Sequence, residues 1–235
     1  MGIEDNWRGV CLEGVSYVGK SSAIELLRRT LPESDLIVVP EYAEIGNLPP
    51  FPPTGRSDSI KAISVIIDLE RKRTDLVNDS LARYGDIPVV FDRGPASCIA
   101  FQYTMSINGF LGDPVVMAEA FMKQVSDGNI ILPFGHIHLT CSMEEIKLRE
   151  ARTLASGHRP IMEFLRRVDV IGSFTWVFER YKKYLPDNLT LSLNSQDKSL
   201  AEITSRVWNF IQTQPSRIDE TPDLIKFATD LKTHS

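Results

Sequence analysis

At 235 residues the chain has room for one domain with a substantial core. Hydrophobic residues make up 43% and charged residues 24%, and the formal net charge of −5 argues against a broad nucleic-acid or anionic-membrane surface. No stretch reaches the ~20 apolar residues of a membrane span, the N-terminus has no signal-peptide core, and the three cysteines, Cys11, Cys98 and Cys141, are too sparse for a disulfide framework. The expectation is a cytoplasmic protein with reduced thiols.

The first apolar run, Val10-Cys11-Leu12, reads as a short strand. Gly14-x-x-x-x-Gly19-Lys20-Ser21 follows it, and a helical pattern with Ala23, Leu26 and Leu27 follows that. Strand, glycine-bounded loop and helix in this order form a phosphate-binding loop. Gly14 and Gly19 permit backbone angles that turn successive N–H groups inward around phosphate oxygens. Val18, Gly19, Lys20, Ser21 and Ser22 complete the nucleotide-binding set: Lys20 supplies a point charge, Ser21 a hydroxyl for Mg²⁺, and the helix start an anion-attracting dipole. The alternative is a glycine turn without a ligand.

Leu36 to Val39 reads as a second, buried strand, with Pro40 and Glu41 just past its end. Glu41 is the candidate general base for a hydroxyl acceptor, with Glu44 as a competitor. Gly46 to Gly55 holds four prolines and is loop, either facing a substrate or merely stiff. Residues 59–84 have helical spacing, and most of the charges at 68–75 are expected on a solvated face, with one or two arginines free to enter a pocket.

Ile87 to Asp92 is a strand ending in an acid, followed at once by Arg93. Asp92 can hold Mg²⁺ and Arg93 can bridge donor phosphate and acceptor oxygen; the alternative is an Asp-Arg-Gly turn that only closes a strand. Helices are expected at 96–108, 113–125 with Pro114 at its first turn, and 143–152. Of the apolar runs 130–132 and 136–140, the second is the better strand. Arg149, Arg152 and Arg159 flank a Gly157-containing loop, a candidate lid over about 149–160 that would close over phosphate; the alternative is cations at a solvated helix end. One long helix is expected over 160–184, a last strand over 189–193 and a last core helix over 199–211. Residues 213–235 read as a C-terminal tail with one short helix from 223 to 231. His136 and His138 alternate on a strand and are expected to be structural.

Strands alternating with helices predict an α/β three-layer sandwich, a five-stranded parallel sheet flanked by helices, with the 1–212 core carrying the lid. Ligands bind outside the C-terminal ends of such strands, where the Gly14 loop, Glu41 and Asp92 converge.

Leu12-Glu13-Gly14, Gly19-Lys20-Ser21-Ser22, Asp92-Arg93 and Ser97-x-x-Ala100-Phe101-Gln102 together resemble thymidylate kinases and related deoxynucleoside kinases over about residues 9–212. The resemblance implies a P-loop kinase fold, with Lys20, Ser21, Asp92 and Arg93 handling phosphates and Mg²⁺. It puts Gln102 near the acceptor base, with Arg71 or Arg73 as a further acceptor contact. The chain departs from the thymidylate kinase pattern at Ser16 and Tyr17 in the loop, at Gly94, and at Pro40, where a phosphate-reading arginine is usual. These features lead to an ATP- and Mg²⁺-dependent kinase phosphorylating a hydroxyl of a nucleoside or nucleoside-like molecule. A nucleoside monophosphate kinase, a kinase of another small alcohol such as an antibiotic, and a nucleotide-binding regulatory module are the alternatives. A homodimer is left open.

Overall fold

The structure, a computed structural model, describes residues 9–153, 160–215 and 221–234. Five strands form one parallel sheet: β1 (Gly9–Glu13), β2 (Ile37–Val39), β3 (Val89–Asp92), β4 (Gly135–Thr140) and β5 (Thr190–Asn194), in the order β2-β3-β1-β4-β5. The expected five-stranded parallel α/β fold is what the chain adopts. The run 130–132 joins no strand, because Ile130 and Leu132 are buried as single anchors ahead of β4.

The strands are apolar on both faces because both faces are covered. Val10 and Leu12 of β1 and Val90 of β3 enter the larger core, whereas Cys11, Val89 and Phe91 enter a smaller one with Ile37, Val39 and Val77. Ten α-helices are described: α1 (Lys20–Thr30), α2 (Tyr42–Ile45), α3 (Arg56–Tyr84), α4 (Pro95–Ile107), α5 (Pro114–Ser126), α6 (Met143–Thr153), α7 (Pro160–Leu165), α8 (Val168–Tyr181), α9 (Leu200–Thr213) and α10 (Leu224–Lys232). α1 packs on α9, and α4 packs on α5 and α8. None of the described helices is long and apolar enough to cross a membrane.

Two expectations, on the helix over 160–184 and on the C-terminal segment, need correction. The long helix over 160–184 is instead α7, α8 and a closing 3₁₀ turn, broken where Arg167 adopts an extended backbone and pairs with Asp169 and Asn108. The break lets Phe164 of α7 join Phe51, Phe101 and Phe110. The charges of α3 divide largely as expected, with Asp68, Lys72 and Asp75 exposed and Arg73 turned inward; the burial of Glu70 against Arg73, 2.8 Å apart, is what the sequence did not signal. The C-terminal segment is not peripheral: α10 buries Leu224, Phe227, Ala228 and Leu231 against α5 and α4. Those positions, spaced i, i+3, i+4 and i+7, are one face of a helix.

Parallel register puts the C-terminal ends of β1 and β3 side by side, with Leu12 opposite Asp92. The order of strands reverses at β1, so the crevice above it is the switch point at which an open α/β sheet holds a ligand.

Candidate active site

The loop leaving β1 is shaped by its glycines. Gly14 has φ +138°, and a Cβ there would stand 2.4 Å from the Leu139 carbonyl oxygen; Gly19 has φ +101°. Val18 is buried under the loop. Lys20 folds back and donates to the carbonyl oxygens of Gly14, at 2.9 Å, and Val15, at 2.8 Å. Burial, with Arg93 nearby, pulls its pKa down to about 7, so a phosphate arriving beside it would restore the full charge. The first turn of α1 contains no acid, and Gly19 caps it without a side chain. The N–H groups at Lys20, Ser21 and Ser22, in residues that line a cavity, therefore have no acid of their own helix turn competing for them.

Asp92, at the end of β3, is buried. Its Oδ2 accepts from the Ser21 hydroxyl at 3.2 Å, and its Oδ1 has no partner. A hydroxyl and a carboxylate with an orphaned oxygen suit a hard divalent cation such as Mg²⁺, so the donor set fits that ion. Arg93 follows with φ +64°, unusual for a residue with a side chain. The turn is held from below: Arg73 donates to the carbonyl oxygens of Asp92, at 3.2 Å, and Arg93, at 2.6 Å, while its guanidinium lies 4.3 Å from the Tyr42 ring centroid.

Arg93 reaches forward to Glu41, Nε to Oε1 at 2.6 Å, and to the Gly14 carbonyl oxygen at 3.0 Å. Burial would raise the Glu41 carboxyl, but Arg93 and Lys20 outweigh it and hold the pKa below its ordinary value. Glu41 thus stays ionised at neutral pH. Glu44, its competitor, is exposed and lies 4.0 Å from Arg28, away from this cluster.

Glu13 was given no role from sequence alone, although it directly precedes the loop. It is buried, accepts from the Gly94 N–H at 2.9 Å and from the Ser97 hydroxyl, and burial raises its pKa to about 7. Gly94 has a reason in this contact: a Cβ would stand 3.2 Å from Glu13 Oε1 and 3.3 Å from Cys11 Sγ. A larger residue there would press on both side chains and need them to shift by a few tenths of an ångström. Behind it, Cys11 Sγ contacts His136 Nδ1 at 2.8 Å. Burial lowers the His136 pKa to about 3, so this histidine is neutral.

Two cavities meet at this cluster. One, of about 570 Å³, is lined by Ser16, Tyr17 and Gly19 to Ser22 of the loop region together with Arg149, Arg152 and Lys198. Arg149 is anchored there by Glu145 Oε1 at 2.6 Å, Ser195 at 3.0 Å and the Tyr17 carbonyl oxygen at 3.3 Å. Lys198, between β5 and α9, was not singled out from sequence, because an isolated lysine in a polar connection carries no local signal. The second cavity, of about 250 Å³, lies under the proline-rich segment and α3 and includes Gln102. Ser16, Glu41 and Arg93 border both.

Arg71 does not join the site. Its guanidinium is taken by Gln124 Oε1 at 2.5 and 3.0 Å and by Asp68 at 3.3 Å. Two helical steps of about 100° each place it on roughly the opposite side of α3 from Arg73, and Arg73 is the arginine that turns toward the strand ends. Arg159 and residues 154–159 of the expected lid lie outside the described residues.

No protein-family model and no curated protein matches the sequence. Among solved structures, thymidylate kinase from Candida albicans is similar at TM-score 0.55 and 18% identity, covering 89% of this chain and 93% of that one. Thymidylate kinase from Ehrlichia chaffeensis is similar at TM-score 0.51 and 16% identity, covering 88% of this chain and 100% of that one. At these identities the likeness is one of fold, and the chain shares the fold of these two thymidylate kinases over most of its length.

Proposed function

We propose that this chain is an ATP- and Mg²⁺-dependent kinase that moves the γ-phosphoryl group to a hydroxyl of a nucleoside or nucleoside-like small molecule. The observation that carries the reading is the junction of the two cavities, where a cation-lined space and a largely apolar one share only Ser16, Glu41 and Arg93 among their described lining residues. Donor phosphates fit the first, with the loop N–H groups, Lys20, Arg149 and Arg152 around them, and the acceptor fits the second.

In this reading Ser21 and Asp92 hold Mg²⁺, which neutralises phosphate charge when bound. The acceptor oxygen bonds to the γ-phosphorus as the bond to the β–γ bridging oxygen breaks, and ADP leaves. Glu41 takes the hydroxyl proton. Its Oε1 is held by Arg93, which orients the carboxylate at the border of the two cavities. Arg93 and Lys20 stabilise the charge that spreads over the transferring group. A carboxylate here would repel an acceptor monophosphate, and Pro40 offers that acceptor no cation. Both features favour a hydroxyl over a monophosphate.

Glu41→Gln keeps the shape and removes the base. It should lower kcat by on the order of 10²-fold with little change in Mg·ATP affinity. ADP release against nucleosides, monophosphates and other alcohols, alongside Mg·ATP titration, tests this. Near-parental turnover by Glu41→Gln, or preference of the parent for a monophosphate, would sink the assignment.

A further inference from the structure

Tyr17, within the phosphate loop, has φ +66°, a left-handed backbone in a residue that carries a full side chain. Such a conformation is costly outside glycine and persists where its surroundings hold it. Arginines from beyond the loop hold this residue at both its backbone and its side chain. Its carbonyl oxygen accepts from Arg149 of α6 at 3.3 Å. Its hydroxyl accepts from Arg166 Nη2 at 3.2 Å and Nε at 3.3 Å. Arg166 is fixed in turn by Glu150 of α6, Nε to Oε1 at 2.9 Å.

Arg166 is the first residue past α7, and α7 supplies Ile161, Met162 and Leu165 to the wall of the second cavity. Tyr17 lines the first cavity. The contact between the two side chains therefore joins the phosphate loop to a wall of the acceptor space. α7 has six residues, too few to persist as a helix without outside contacts. Phe164 anchors it in the aromatic cluster with Phe51, Phe101 and Phe110, and Arg166 ties its end to the loop. Phosphate selects the loop conformer whose N–H groups turn inward, and Arg166 bonds the Tyr17 hydroxyl in the loop conformer seen here. Two interactions that select one conformer favour each other.

We infer that Arg166 is a positioning residue which, through Tyr17, makes occupation of the phosphate cavity order the α7 wall of the acceptor cavity. The inference rests on the kinase reading above and adds to it that the acceptor space is complete when the donor is bound. By linkage, an acceptor seated against α7 tightens donor binding by the same factor.

Amide hydrogen exchange of residues 161–166 in the full chain tests this, measured free and saturated with Mg²⁺ and the non-hydrolysable ATP analogue AMP-PNP. Calorimetry establishes saturation for each protein. In the parent, nucleotide should slow exchange at 161–166 by about tenfold. Tyr17→Phe, which keeps the ring, Arg166→Gln and the double variant should each reduce that slowing to less than about threefold, and the double variant should lose no more than either single one, because all three remove the same contact. A merely structural contact would speed exchange equally with and without nucleotide and leave the slowing intact. Slowing that survives in either single variant, losses that add in the double variant, or no slowing in a parent that binds Mg·AMP-PNP overturns the inference. A folded parent that does not bind Mg·AMP-PNP overturns the kinase reading, and the inference falls with it.

Discussion

A carboxylate closed off from water at the end of a central strand prefers to keep its proton, and Glu13 is in that position at the end of β1. Burial raises its pKa from 4.5 to about 7, against the opposing pull of Ser97, Arg93 and the Gly94 N–H. Between those two values the folded chain holds a proton that the unfolded chain has released. Raising the pH through this window therefore favours unfolding. Glu13→Gln mimics the protonated form and lacks this dependence. The stability of the parent relative to Glu13→Gln should fall by about 3 kcal/mol across the window, the equivalent of the pKa displacement, and stay level outside it. Urea denaturation of both proteins across pH 4 to 8 reads this directly. A constant difference would mean that Glu13 is ionised in the folded chain. His136 works in the opposite direction, since its pKa of about 3 favours the folded chain as pH rises toward its ordinary 6.5, and comparison with the variant cancels that contribution.

The elements that position the site depend on one buried arginine. Arg73 of α3 holds the β3–α4 turn by the carbonyl oxygens of Asp92 and Arg93, and Glu70, one turn earlier on the same helix, balances its charge. Burial disfavours the charged guanidinium, yet Glu70, with smaller contributions from Tyr42 and Cys98, outweighs it and keeps the Arg73 pKa above the ordinary value. Removing one partner strands the other. Arg73→Met should cost about 3–5 kcal/mol, and Glu70→Met combined with Arg73→Met should be less destabilised than Arg73→Met alone. The double variant still loses the clamp on the left-handed Arg93. Its activity should therefore stay low even where its stability recovers, and chemical denaturation paired with turnover separates the two effects. A double variant as unstable as the single one would show that the guanidinium acts by filling space and bonding carbonyls, not by balancing Glu70.

Across the whole molecule, the C-terminal helix belongs to the same core as the sheet-covering helices. Phe227 is fully buried, with its ring centroid 4.7 Å from that of Tyr181 and 5.5 Å from that of Tyr184. Lys232 pairs with Asp113 at 2.8 Å, and Arg180 pairs with Asp230 at 2.8 Å. Phe227→Ala should therefore lower global stability by about 3–5 kcal/mol in a single cooperative transition. An early, separate loss of helix signal with an unchanged main transition would mean that α10 melts on its own.

The strands and most helices could be read from the chain alone because their signals are local. Val10-Cys11-Leu12 and Leu36 to Val39 are apolar without interruption, Gly14 and Gly19 bracket a loop that only their backbone freedom allows, and Pro114 follows an Asp113 that caps α5 by accepting from two N–H groups. The convergence of Lys20, Ser21, Glu41 and Asp92 followed from parallel order, since parallel strands bring their C-terminal ends to one edge. Other features needed the folded chain, because they depend on which side of a helix meets which neighbour. Arg71 and Arg73 are alike as charges in a run, and only the packing of α3 on β3 sends Arg73 inward and leaves Arg71 to Gln124. The break between α7 and α8 is set by the aromatic cluster that Phe164 enters, which draws on residues from 51 to 164. Glu13 reads as an ordinary acid until Ser97 and Gly94 close over it, and the largely apolar cavity beside Glu41 exists only where the proline-rich segment, α3, α4 and α7 meet. Burial and opposing charge are sums over neighbours distant in sequence, and tertiary structure alone brings those neighbours together.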